Sequence, residues 1–180
     1  MAVLSGLDVS GSSARDDYTP AVRAGTITLR EATTTDVPTL LALVHAAFAQ
    51  YRDRLDPPSG AHRETEATLG AALHAGGALL ACVDGQPIGC VFYHRETEHV
   101  YVGRLSVLPA FRGRGVGPAL TDDVERRARA MGVPRVQLGV RTALPRLRAY
   151  YERCGYRVVR EERHAGYETP TYVVMEKDLR

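Results

Sequence analysis

Residues 112–117 read Arg-Gly-Arg-Gly-Val-Gly, set between an apolar run and a helix-forming run. Few local features restrict a fold as much. Three glycines in six residues let successive backbone N–H groups turn inward with no Cβ in the way. A helix opening just behind them adds unpaired N–H groups and the positive end of its dipole. Arg112 and Arg114 add charge, so the turn is a cradle for a phosphate or pyrophosphate. The spacing is G-x-G-x-G rather than the dinucleotide G-x-G-x-x-G, and the following strand region, 133–138, carries no acidic residue for a ribose. No Lys-Ser/Thr pair follows, so a nucleotide P-loop is excluded as well. The alternative is an Arg/Gly surface turn of RNA-binding type, which leaves its tight placement between a strand and a helix without a reason.

The rest of the chain arranges itself around that turn. Alternation over 26–30 predicts a half-buried strand. Leu40, Val44, Ala47, Phe48 and Tyr51 recur at helical spacing, predicting a helix over 36–51. A Pro/Gly-rich polar loop follows at 52–61, then a second helix over 62–75 ending at Gly76-Gly77. Two apolar strands, 78–83 and 88–94, flank an Asp-Gly-Gln-Pro hairpin turn, and a third strand spans 99–108. After the glycine turn, Pro118 is placed at the first position of a helix carrying Leu120, Val124, Ala128 and Met131. A strand over 136–140, a helix with Leu144, Leu147, Tyr151 and Cys154 on one face, and strands over 156–160 and 171–177 complete the chain. The hairpins argue an antiparallel half and the strand–helix–strand a parallel crossover. The fold class is therefore mixed α/β (α+β): a central, mostly antiparallel sheet with helices on both faces. Residues 1–25 read as a flexible tail and 26–180 as one domain.

Composition narrows the function. The net charge of +2 is too small to argue for nucleic acid or a membrane. Of 23 basic residues 22 are Arg, a bias expected of a GC-rich genome. Cys82, Cys90 and Cys154 have no metal-ligand spacing, so no metal site is expected. No apolar run reaches the ~18 residues of a membrane span, and the first 13 residues lack a basic leader. The expected location is cytoplasmic.

With these elements in place the sequence resembles the GNAT superfamily of N-acetyltransferases. Arg112–Gly117 matches its R/Q-x-x-G-x-G/A signature. The preceding Leu105-Ser106-Val107-Leu108-Pro109 looks like its L-x-V-x-P strand end, and 149–156, AYYERCGY, is similar to its A-x-x-Y-E-K-x-G-F block. Residues 174–179 resemble its last strand, and the likeness spans about 26–180. Many members carry an Asn between the strand after the glycine helix and the Tyr helix; residues 141–150 contain none.

The resemblance implies acetyl-CoA as acyl donor and a small-molecule amine or a peptide as acceptor, with a homodimer implied on the same footing. The pyrophosphate would rest on Gly113, Arg114, Gly115, Val116 and Gly117 with Arg112 beside it. The pantetheine would run along Leu105, Ser106 and Val107, on a strand that carries a bulge and splays from its neighbour. N–H groups near Leu105 and Ser106 would polarise the thioester carbonyl. Tyr151 is the match for the family's acid to the departing sulfur; its bland alternative is a core tyrosine on a helix face. A base is needed because an alkylamine attacks unprotonated. Glu96, Glu98 and His99 are the candidates, with a solvated hairpin tip as the alternative. His45 reads as a semi-buried histidine. The acceptor end is expected near 51–58, where Asp53 and Asp56 suit an amine and Arg52 and Arg54 a carboxylate, with 164–170 closing the other side. A non-catalytic acyl-CoA-binding regulator of the same fold is the runner-up.

Overall fold

The structure, a computed structural model, describes residues 26–180; the tail expected over 1–25 lies outside the described residues. Seven strands and four helices follow the expected order: β1 (Ile27–Glu31), α1 (Val37–Phe48), α2 (Glu66–Ala75), β2 (Gly77–Val83), β3 (Gln86–Arg95), β4 (Val100–Val107), α3 (Val116–Ala130), β5 (Arg135–Arg141), α4 (Pro145–Arg153), β6 (Arg157–Glu162) and β7 (Tyr172–Asp178). One sheet holds them in the order β1-β2-β3-β4-β5-β7-β6. Every pairing is antiparallel except β4 with β5, which α3 joins as a parallel crossover.

Two layers cover the sheet, and the strand sequences say why. β2 is apolar at every position after its first because both its faces are covered. Leu80 and Cys82 face the α1/α2 layer, where they meet Leu40, Val44, Phe48 and Leu69. Leu79 and Ala81 face the α3/α4 layer with Leu120, Val124, Leu147 and Tyr151. Burying each such leucine stabilises the fold by about 1.5–3 kcal/mol.

Several boundaries differ from the sequence reading: the helix expected over 62–75 opens only at Glu66, behind a separate 3-10 turn at Gly60–Arg63. The hairpin turn is two residues, Asp84 (φ 50°) and Gly85 (φ 77°), so Gln86 and Pro87 belong to β3. Positive φ at both central positions matches the twist of the flanking strands. Pro118 is the third residue of α3, not the first, because the helix opens at Val116 behind Gly115. Its missing N–H is still one that the first turn leaves without an intrahelical acceptor. The helix expected over 36–51 keeps its length but is α-helical only over Val37–Phe48, with a 3-10 turn at each end.

Candidate functional site

β4 and β5 pair at only three positions, ending at Val102 with Leu138. Beyond that point each strand keeps only its other neighbour: β4 stays on β3 as far as Val107 with Gly89, and β5 stays on β7 as far as Arg141 with Tyr172. A wedge therefore opens between 103–107 and 139–141, bordered by two strand edges with no strand partner. The local cause is a bulge. Residues 104 and 105 occupy the space opposite Val91 alone, and Arg104 sits in the left-handed region at φ 51°. This positive φ at an arginine is held by its side chain: Nε donates to Glu64 Oε1 at 2.7 Å, and Glu64 also accepts from Thr68. The bulge and splay that the resemblance implied are thus present.

The glycine turn caps this wedge. Gly113 (φ 71°) and Gly115 (φ 83°) are both left-handed, and a Cβ on either would meet no atom within 4 Å. They are glycine for backbone conformation, and the space above them is open. Ala119 N–H is the first of α3 to reach back along the helix, to Gly115 O at 3.0 Å. The N–H groups of Val116 and Gly117 therefore lack intrahelical acceptors and face the turn. Arg112 is not a loose phosphate ligand. Its guanidinium donates to Val107 O (3.2 Å), Gln50 Oε1 (2.8 Å) and Ala47 O (2.9 Å), stapling the turn to the C-terminal end of α1. Arg114 is exposed and lies over the Phe111 ring at 5.6 Å, at the mouth of the turn.

Tyr151 closes the wedge from α4. It is 1% exposed and packs edge-on to Tyr150 and Tyr156 at 5.2 and 5.5 Å. Its hydroxyl is buried and has no hydrogen-bond partner among the described residues. Burial, then the hydroxyl of Tyr150 and the thiol of Cys154, hold its pKa well above the ordinary phenol value. Tyr51 also bears on it, although Tyr51 belongs to the α1/α2 layer. Tyr156, by contrast, donates to Glu125 at 3.0 Å, and Glu125 takes Lys177 at 2.7 Å, a satisfied structural network.

The structure does not bring Glu98 and His99 to this place. They sit at the tip of the β3–β4 hairpin, where Glu96 N–H donates to His99 O. Glu98 is exposed and paired with Arg135 at 2.9 Å. Burial lowers the His99 pKa. Val100 already pairs with β5, so the tip lies at the closed end of the wedge. Some six residues separate it from Leu105, roughly 20 Å of strand. Ser106 is buried, and its hydroxyl turns to Arg104 O at 3.0 Å. The buried Cys90 thiol opposite is pushed up to about 12 by burial.

Two arginines that the motif reading passed over flank the wedge. Arg104 lines a cleft of about 340 Å³ with Glu64, Leu69, Phe92, Tyr93 and Tyr101, between α2 and the β3–β4 pair. Arg141 ends β5 and is buried. Its signal in the sequence was only parity. Val136, Leu138 and Val140 face the α3/α4 core, so Arg141 faces the other layer, beneath loops distant in sequence. Those loops meet there: the Tyr167 hydroxyl donates to the Asp56 carboxylate, joining the two segments expected to border an acceptor.

Solved structures share this fold. Ard1 from Thermoplasma volcanium superimposes with a TM-score of 0.70 at 18% identity, over 84% of this chain and 97% of that one. PaiA N-acetyltransferase from Thermoplasma acidophilum, in complex with coenzyme A, gives 0.70 at 18% identity over 85% and 99%. A GNAT family acetyltransferase from Elizabethkingia anophelis with acetyl-CoA bound gives 0.61 at 18% identity over 84% and 97%. The model of the GNAT acetyltransferase family matches residues 41–156, a span that includes the bulged strand, the glycine turn and the Tyr151 helix. A parted strand pair, a phosphate-sized turn and a buried unpaired hydroxyl thus come with the matching family model, and the chain belongs to the GNAT family of acetyltransferases.

Proposed function

We propose that this protein transfers the acetyl group of acetyl-CoA to a primary amine of a small molecule or a peptide, with Tyr151 as the acid. One observation carries the reading: the wedge between β4 and β5 is followed by a donor-rich glycine turn on the β4 side and, on the β5 side, by the helix that carries an unpartnered, buried Tyr151 hydroxyl. The donor fits the residues present. The turn offers N–H groups and open space to a pyrophosphate, and the free edge of 105–107 offers strand-like hydrogen bonds to an amide-bearing arm. Acetyl-CoA supplies an activated acyl group.

The chain's own residues do the rest. Residues 113–117 bind and orient the anionic end of the donor. The free backbone edge at Leu105 and Ser106 directs N–H dipoles to the carbonyl oxygen, where charge develops. Tyr151 keeps its proton at Oη, because burial disfavours the phenolate, and donates that hydrogen to the departing sulfur. The amine attacks as its free base: the C–N bond forms, the C–S bond breaks, and the proton that the nitrogen sheds restores Tyr151 Oη after its own hydrogen has passed to sulfur. Glu98 and His99 lie at the closed end of the wedge, so this reading gives them no part in taking its proton.

Thermal unfolding with acetyl-CoA, CoA and ATP tests the donor. A ligand at 100 times its Kd adds about 2.7 kcal/mol, a rise of roughly 5–10 °C for a domain of this size. Acetyl-CoA and CoA should shift the midpoint and ATP should not. Thiol release across an amine panel then tests transfer. CoA binding with no thiol release from any amine would replace this reading with that of a non-catalytic acyl-CoA binder.

A further inference from the structure

We infer that Arg141 is the carboxylate anchor of the acceptor pocket, so the amine this protein acetylates carries a carboxylate close to its amino group, as an amino acid does. The inference rests on the acetyl-transfer reading above and names its substrate class.

Arg141 is 1% exposed and is one of the largest fully buried side chains. Its Nε donates to Thr171 O at 3.2 Å. Both terminal nitrogens, Nη1 and Nη2, are buried and have no hydrogen-bond partner among the described residues. A buried charge left unpaired is costly, and arginine keeps its proton throughout the physiological range, so neutralisation is not a way out. A bound anion is. With Nε fixed to Thr171, the two free nitrogens form the planar end of the fork, the geometry that takes a carboxylate through two parallel bonds.

Position supports the same occupant. Val102 is the last residue of β4 to pair with β5, at Leu138; beyond it Arg141 stands three residues along β5, and the edge from the 104–105 bulge to Ser106 borders the same wedge from β4. Leu105 is where the acyl carbonyl would be polarised. An anion held at Arg141 therefore places a neighbouring amino group near the acyl carbon, provided few bonds separate the two. Arg141 also faces away from the α3/α4 layer that carries the glycine turn, so the phosphates of the donor lie on the other side of the sheet. Burial lowers the Arg141 pKa, and the groups that oppose this come from the two acceptor-side loops, Tyr167 and Asp56; His164 is itself held below its ordinary value by burial and by Arg141. Asp56 is occupied by the Tyr167 hydroxyl, which leaves the guanidinium fork for a ligand.

The test compares matched acceptors by thiol release: free amino acids against their carboxamides and methyl esters. The acid form should be preferred by on the order of 100-fold in kcat/KM, since a site built around a charged group rejects analogues lacking it. Arg141→Met should abolish the preference, and Arg141→Lys, which keeps the charge but not the fork, should retain part of it. Calorimetry with N-acetyl amino acids and their amides, on free and CoA-loaded protein, reads the anchor even if no amine turns over. The acids should bind the wild type and not Arg141→Met. A structural arginine behaves differently: its loss would lower the unfolding midpoint, whereas removing an unpaired buried charge should leave the midpoint unchanged or higher. Equal use and equal binding of acid and amide, or a preference that survives Arg141→Met, would each overturn the assignment. Failure of acetyl-CoA to bind would instead sink the acetyl-transfer reading, while the carboxylate calorimetry still decides Arg141.

Discussion

The two sides of the β4–β5 wedge are built from different materials. On the donor side recognition is mostly backbone: left-handed Gly113 and Gly115, the unbonded first turn of α3 and the free edge of β4. On the side we propose for the acceptor the features are side chains: Arg141 from a strand end, Asp56 and Tyr167 from two loops more than a hundred residues apart. Backbone recognition needs a short contiguous segment of fixed conformation, and such a segment leaves a motif. Side-chain recognition draws single residues from remote places and leaves none. The donor side therefore identifies a family, while the acceptor side distinguishes its members.

The sharpest way to break the donor side is Gly115→Asp. The φ of 83° strains any residue with a Cβ, and the added carboxylate faces the anionic ligand. Acetyl-CoA affinity should fall by on the order of 100-fold by calorimetry, since each 1.4 kcal/mol is tenfold and both strain and repulsion act. The open space around Gly115 should leave the fold intact. Unchanged affinity would remove the cradle assignment.

Tyr151→Phe probes the point where the two sides meet. It deletes a buried hydroxyl with no partner, so the unfolding midpoint should hold or rise slightly. Turnover should drop by roughly 100-fold in kcat, the low end of general acid contributions, with acetyl-CoA affinity kept. A variant with full turnover would return Tyr151 to the core, as the packing alternative holds.

The smallest effect concerns pH. Burial, the first cause for each, lowers the pKa of His62, His99 and His164, the last of which belongs to an acceptor-side segment. Each binds fewer protons folded than unfolded, so stability is complete above about pH 6.5, the unfolded value, and declines as pH falls below it. Asp36 and Asp123 are held below the usual carboxylate range and act only in stronger acid. The midpoint should therefore drop modestly between pH 7 and 5; a flat or rising midpoint would contradict the burial of these rings.

Most of the fold was legible because its signals are local. Strand parity, helix period and turn chemistry give the element order, and the doubly covered β2 reads as an unbroken apolar run. Within the site, the glycine turn and the face carrying Tyr151 were legible for the same reason. The misplaced expectations are those in which distance decides. Glu98 and His99 lie on the strand that leads to the site and read as its entrance, but the parallel pairing of 100–102 with β5 closes that end. Arg112 carries the charge of a phosphate ligand, yet its three hydrogen bonds bind it to Ala47, Gln50 and Val107.

The sequence by itself determined the phosphate-sized turn, the order of strands and helices and the membership of the family, since these rest on contiguous residues and short periods. Tertiary structure alone decided where β4 and β5 part, which tyrosine hydroxyl goes unpartnered and which arginine is buried beneath the acceptor loops. Each of those depends on which atoms lie opposite one another across the sheet, and that follows from packing between residues 30 to 110 positions apart, a range over which no local pattern reaches.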